Sequence, residues 1–448
     1  MGHIGRIGFL GIQGEIRYFG NIRNFGEEKG ESLMTAIFLA PVYILVNVYI
    51  FWRVTGWLKV GFPALRTRGG VLASAAVYSF FALSFLIAFL MPPQAAACRV
   101  MKQIGNYWLG VLLYMILIIV VADVARLVFL HIFHIDRKKL CTPRLRRVVG
   151  RVCMVLILVV SILGVVNAGI VRTTPYEITV NKQANKMDSL KVVLAADLHL
   201  GYNIGVRQMQ KMVEKINEQD ADLVVFAGDI FDNEWEAVEK PDEIAGILRG
   251  IHSKYGVYAC YGNHDVEEPI LAGFTFGGSE SKQSSAEMDA FLERANVKLL
   301  RDEGVLIDGS FYLYGRPDAQ RPGAAANAAA AAAADAAAAA AKEYARLAPA
   351  EITQDMDKSK PILVIDHQPR ELAELAAAGV DVDLCGHTHD GQIFPANIIV
   401  KLTWKNSYGY LKEGQMHNIV TSGVGLFGPN MRVGTKAEIC PITIRFAG

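Results

Sequence analysis

The sequence predicts an α/β domain in its C-terminal half, preceded by an all-α membrane domain of four helices. Two observations predict this. Apolar residues, 52% of the 448-residue chain, concentrate before residue 172 in four runs long enough to cross a bilayer. After residue 190 the texture changes to short β-rich runs separated by helical stretches, the pattern of layered α/β structure. The expected organisation is a leader over 1–32, a four-span membrane domain over 33–171, a linker over 172–189 and an α/β domain over 190–448.

The four runs are Leu33–Phe51, Val71–Met91, Trp108–Leu130 and Val152–Val171. A signal peptide would be one short run before a cleavage site, so four runs read as spans. Arg53, Lys59, Arg66 and Arg68 follow the first run, and Arg137, Lys138, Lys139, Arg144, Arg146 and Arg147 follow the third. Only Arg99 and Lys102 separate the second from the third. Basic loops stay in the cytoplasm, which puts the C-terminal half on the outer side of a plasma membrane. The Gly-rich leader carries Arg6, Arg17, Arg23 and Lys29, and Met34 opens the first span as an alternative start. Asp123 and Arg126, three apart on the third span, read as an i,i+3 pair that satisfies itself. A formal charge of +1 provides no global basic field, so no nucleic-acid partner is expected. Six scattered cysteines without CxxC spacing read as free or buried thiols.

Chemistry concentrates where the strands of the second half end. KVVLAADLHLG runs into Asp197 and His199, LVVFAGDIFDN into Asp229 and Asp232, and GVYACYGNHD into Asn263, His264 and Asp265. PILVIDHQP ends in Asp366 and His367, and VDLCGHTHDGQ in His387 and His389. Carboxyl ends of strands are where α/β sheets collect ligands. The two-residue spacings of Asp197/His199 and His387/His389 put each pair on one side if strand geometry continues. Gly228, Gly262 and Gly386 precede the polar residues where the chain must pass closely. Carboxylate, imidazole and amide oxygen together suit Mn, Zn or Fe. The set is too large for one tetrahedral zinc, and two divalent metal ions sharing a carboxylate account for it. A lone DxH or GD is uninformative, whereas the ordered set after five strands is specific.

This ordered set resembles the calcineurin-like metallophosphoesterase family, from about Leu190 to Ile444. GHTHDGQIFP and the tail Ser422–Glu438 are similar to a membrane-anchored bacterial branch of UDP-2,3-diacylglucosamine pyrophosphatase type. The resemblance implies a four-layer α/β/β/α sandwich. It implies that Asp197, His199 and His389 hold a first metal, that Asp229 bridges, and that Asn263, His367 and His387 complete a second. His264 would lie beside the phosphate, with Asp265 orienting its ring. The implied activity is hydrolysis of a phosphodiester or pyrophosphate by metal-activated hydroxide, on a lipid-linked substrate at the bilayer. The alternatives are a broad phosphodiesterase for soluble nucleotides or envelope polymers, and an inactive metal-binding module. Asp390 departs from the branch's GHTHGGQ and reads as a solvated turn residue. The Ala-rich stretch 324–341 reads as a surface helix, and the loop 269–285 as a substrate cap.

Overall fold

The computed structural model describes residues 41–91, 95–185, 187–266, 270–271, 274–275, 285–318 and 346–448. The leader, the Met34 start and the Ala-rich segment lie outside these residues, as does most of the expected cap loop.

Four long helices come first: α1 (41–61), α2 (Arg68–Phe89), α3 (Ala96–His131) and α4 (Pro143–Ala168). Thr67 caps α2 by accepting from the Gly70 N–H, and Thr142 caps α4 ahead of a proline at its first turn. α2, α3 and α4 are each long and apolar enough to cross a membrane. α1 continues the first expected span, whose start lies outside the described residues. Asp123 pairs with Arg53 of α1 and accepts from Tyr49, rather than pairing with Arg126. On a single helix Arg126 competes with any cation a neighbouring helix brings to the same carboxylate, and here α1 brings one.

The second half holds two sheets. In the first, β1 (Val171–Thr173), β2 (Tyr176–Val180), β3 (Ser189–Ala195), β4 (Leu223–Ala227), β5 (Val257–Cys260) and β6 (Val297–Leu299) join the C-terminal β13 (Ala437–Phe446). Their order is β1-β13-β3-β4-β5-β6, with β2 alongside the far half of β13. β3 to β6 run parallel, and β13 runs antiparallel to β3. The second sheet is β7 (Glu303–Ile307), β8 (Phe311–Gly315), β9 (Ile362–Ile365), β10 (Val382–Cys385), β11 (Gly409–Glu413) and β12 (Met416–Val420), in the order β11-β12-β10-β9-β8-β7. Residues 172–180, expected as linker, therefore belong to the first sheet, together with Val171, expected as the end of the fourth span, where β1 pairs with Ala437 onward.

Alternation along the strands sets the layers. Val193 and Ala195 of β3 pack with Met209, Met212 and Ile216 of α5 (Val206–Asn217) and with Ile244 and Leu248 of α6 (Pro241–Arg249). Val192 and Leu194 face the other way, against Leu363, Leu384 and Ile419 of the second sheet. The outer face of that sheet buries Val364 and Met416 under Leu372 and Leu375 of α7 (Leu372–Ala378). The order of layers is α/β/β/α, as expected.

The helices are docked on this domain, not strung from it. Lys102 pairs with Glu234 at 2.6 Å, and Arg99 donates to Ala237 O. Gln103 donates to Tyr202 O, and Asn106 to Asn203. Further along α3, the Tyr114 hydroxyl donates to Phe394 O, and Asn167 of α4 donates to Arg432 O and Thr435 O. Tyr114, Ile393 and Met431 share an apolar cluster with Val111, Leu117 and Val165.

Candidate metal centre

The nine residues to which the resemblance gives roles sit at the carboxyl edge where β3, β4, β5, β9 and β10 end. The strands do not continue through them. Asp197, His199, Asp229, His387 and His389 all have positive φ, between 47° and 69°. The facing of each two-residue pair is therefore set by left-handed turns, not by strand alternation. Such backbone costs about 1–3 kcal/mol per residue and persists only where its surroundings hold it. Backbone donors do that here. His387 N–H donates to Asp197 at 2.9 and 3.1 Å, and His264 N–H to Asp229 Oδ1 at 2.8 Å. Two glycines admit the approach: a Cβ at Gly262 would lie 2.2 Å from Asp229 Oδ1, and one at Gly386 2.5 Å from Asp197 Oδ2.

Two groups of side chains share no member, Asp197, His199 and His389 in one and Asp229, His367 and His387 in the other; His199 also converges with Asp232 and His264. Asp229 Oδ2 joins them, 3.0 Å from His367 Nε2 and 3.8 Å from His199 Nε2. In each group imidazole nitrogens face each other, His199 Nε2 to His389 Nε2 at 3.0 Å and His367 Nε2 to His387 Nδ1 at 3.2 Å. Two nitrogens held at about 2.1 Å by one tetrahedral ion stand roughly 3.4 Å apart, so these spacings suit a shared cation. The buried Asn263 Oδ1 has no hydrogen-bond partner, as a carbonyl oxygen awaiting a cation would. His367 Nδ1 lies 2.8 Å from Ala227 O and His199 Nδ1 3.3 Å from Asp232 Oδ1, contacts that turn the opposite nitrogens inward.

These buried groups disturb each other. Burial pushes Asp197 up to about 6, against the pull of His367. Burial also works to raise Asp229, but the nearby imidazoles of His367 and His264 outweigh it and hold the carboxyl well below its usual range. Burial and the neighbouring His367 push His387 down to about 3. Asp265 rises to about 7 through burial, with the Asp229 charge adding.

Where the resemblance puts Asp265 against the His264 ring, Asn233 stands instead, with its Oδ1 on His264 Nδ1. The Asp265 carboxylate accepts from Phe231 N–H at 2.8 Å and Gly262 N–H at 2.7 Å, tying two ligand loops together. Asp390 is 8% exposed and its Oδ1 has no partner, so it is not a solvated turn residue. The site also gathers residues the sequence reading left out. Phe427 lies against His199, His264 and His389, and Trp404 lies edge-on to His387 at 5.3 Å. Arg432 is fully buried and donates to Ser422 O, Gly425 O and Lys436 O. Desolvation lowers it to about 10. All three lie in loops distant in sequence; Phe427 and Arg432 fall in the tail Ser422–Glu438 that carries the resemblance, whereas Trp404 has no such signal.

Residues 190–391 match the calcineurin-like phosphoesterase family, and the chain carries a metallophosphoesterase domain of that family. An uncharacterized metallophosphoesterase of Campylobacter jejuni is 27% identical over 267 residues, 58% of this chain and 60% of that one. One from Helicobacter pylori is 30% identical over 263 residues, 57% and 60% of the two chains. The chain thus spans about 60% of the length of these relatives. A bovine transmembrane protein with metallophosphoesterase domain is 25% identical over 426 residues, which cover 93% of this chain and 90% of the bovine one. That likeness includes the helical half.

Proposed function

We propose that this chain is a metal-dependent phosphoesterase that cleaves a phosphodiester or pyrophosphate bond of a lipid-linked substrate at a membrane surface. The observation that carries the hydrolytic reading is the pair of His/Asp groups joined through Asp229. Asp197, His199 and His389 would hold one divalent cation, and Asn263, His367 and His387 the other, with Asp229 between them. When bound, such ions supply a hydroxide nucleophile at neutral pH and positive charge for the phosphoryl oxygens. His264 lies outside both ligand sets, oriented by Asn233 and walled by Phe427, placed to hydrogen-bond a phosphoryl or leaving oxygen.

The membrane setting is supported by where the helices dock. Thirty-six residues of α3 span about 54 Å, against about 30 Å of bilayer hydrocarbon. The excess is its first turns, where Arg99, Lys102, Gln103 and Asn106 meet the loops that follow His199 and Asp232. The metal centre then lies close to the lipid interface. The short helix α8 (Ala396–Thr403), just after His389, leaves Ile398, Ile399 and Leu402 at 51%, 60% and 83% exposure. Those side chains are suited to lipid rather than water. Arg370, stacked 4.9 Å over Trp404 beside His387, offers a cation for an anionic headgroup. Loop charges favour the outer leaflet, which disfavours a nucleotide-linked precursor as substrate.

The test uses the full chain in nanodiscs with Mn²⁺, and compares a chromogenic phosphodiester, a monoester and a lipid-linked pyrophosphate, with and without chelator. Chelator-sensitive turnover that favours the lipid-linked ester is expected. Equal rates on soluble esters would give the broad-phosphodiesterase reading the advantage. His264→Ala should keep its metals and lose about 100-fold in turnover. Loss of the metals from that variant would overturn its assigned role.

A further inference from the structure

At the end of the helices remote from the phosphoesterase domain, a cavity of about 740 Å³ opens between α1, α3, α4 and the helical turn Arg137–Leu140. Its wall is apolar, formed by Trp52, Trp57, Phe129, Ile135, Leu140 and Val149. Its polar lining is Asp123 and four arginines, Arg53, Arg126, Arg137 and Arg146. These charges do not balance. Asp123 is engaged by Arg53 and Tyr49. The Arg53 Nε is buried with no hydrogen-bond partner. Arg126 reaches only the Cys141 sulfur, at 3.4 Å. Among the described residues neither it nor Arg137 nor Arg146 has a carboxylate partner. Three guanidiniums thus line one cavity whose single carboxylate, Asp123, is taken by Arg53.

Cations beside hydrocarbon are costly unless they reach water or a counter-ion. The exposed Arg137 and Arg146 reach water by extending outward. Half-buried Arg126, in the last turns of α3, has less room to do so. A phosphate in the cavity would serve all three, and the guanidinium fork matches its oxygens. The aromatic and aliphatic wall needs an occupant that is also apolar. The volume suits a headgroup with the first part of its chains.

We propose that this cavity is a binding site for the phosphate headgroup of an anionic phospholipid, with its acyl chains along the Trp52, Trp57 and Phe129 wall. The site stands apart from the metal centre and does not depend on the hydrolytic reading. It lies at the end whose loops carry most of the basic residues, where anionic lipid accumulates.

The experiment is native mass spectrometry of the full chain in mild detergent, with phosphatidylglycerol, phosphatidylcholine or inorganic phosphate added separately. One phosphatidylglycerol should remain bound under activation that strips phosphatidylcholine. Inorganic phosphate at millimolar concentration should not displace it. Arg126→Gln/Arg146→Gln should weaken retention by roughly tenfold or more, the scale of two guanidinium–phosphate contacts. Arg144→Gln/Arg147→Gln removes the same charge at the same end of the helices, from residues that do not line the cavity, and should retain lipid like the parent. Equal retention of the two lipids, equal effects of the two double variants, or displacement by phosphate alone would each overturn the proposal. Circular dichroism of both variants checks that the helices persist. If Arg126→Gln/Arg146→Gln loses helix content, Arg137→Gln, on an exposed turn, replaces it with the same expected direction.

Discussion

In the phosphoesterase domain Val192, Leu194, Val225 and Leu363 are wholly buried, whereas in the helices beside it Leu72, Val121 and Leu163 are 69%, 67% and 62% exposed. The residue types are the same, and the solvent each region answers to is different. Polar groups follow the opposite course. The domain buries Asp197, His199, Asp229, Asp265 and His367 almost completely, while the helices send most of their cations to one end. The comparison teaches that neither region can be read by hydropathy alone. The sandwich uses two apolar layers to hold a dry cluster of carboxylates and imidazoles, and the bundle keeps its apolar surface because it needs no water on its flanks.

Several changes would break or sharpen this contrast. The largest effect belongs to Asp229, which joins both ligand groups. Asp229→Ala should cost more than the roughly 10–100-fold in metal affinity typical of an outer-shell change. Plasma-spectrometric metal counts and turnover should fall together, and a fully loaded, active variant would refute the shared-ligand reading. Next is Asp366, buried between Arg316 and Arg346 at 2.8 and 2.9 Å. Asp366→Ala leaves those guanidiniums only the partly exposed Glu371 as counter-ion, at 2.9 and 2.8 Å, and should cost about 3 kcal/mol in denaturant titration, the lower end for a broken buried pair. One substitution made in both regions tests the comparison directly. Leu194→Ala should cost about 2–5 kcal/mol, because the space between the sheets cannot refill. Leu163→Ala, on the exposed flank of α4, should change the melting of the nanodisc-embedded chain by less than about 0.5 kcal/mol, since lipid fills the gap. Equal costs would mean that α4 is packed against protein. A charge deletion tests the junction between the two regions. Lys102→Met removes a largely buried pair with Glu234, whose side chains are 15% and 13% exposed, and should cost about 1–3 kcal/mol. If turnover on a lipid-linked ester dropped while a soluble ester was unaffected, the docking of α3 would be tied to lipid access.

Much of this was legible in the sequence, because the signals are local. A run of about 20 apolar residues is a span wherever it occurs, and DLH, GD, GNHD and GHTH each carry their own strand ending. What escaped depended on distant partners. β1 and β2 read as linker because their pairing strand β13 lies some 260 residues on. Asp123 read as the partner of Arg126 because no sequence window contains Arg53, which lies 70 residues away. α3 starts at Ala96 rather than Trp108 because its polar first turns are matched by loops of the other half. Asn233, Phe427 and Arg432 lie in segments the sequence marks, LVVFAGDIFDN and the tail Ser422–Glu438, but only the fold brings those side chains to the metal centre.

The sequence alone marked the α/β texture, the long apolar runs and the Asp, His and Asn residues at strand ends, since each follows from periodicity or from residue type; the four-layer order and the ligand roles came only as what the resemblance implies. Tertiary structure decided which donor faces which. Left-handed backbone at Asp197, His199, Asp229, His387 and His389, held by hydrogen bonds between loops far apart in the chain, sets those directions. It also decided that the helices are part of the site's surroundings rather than a tether. That outcome rests on contacts between surfaces, which no local pattern encodes.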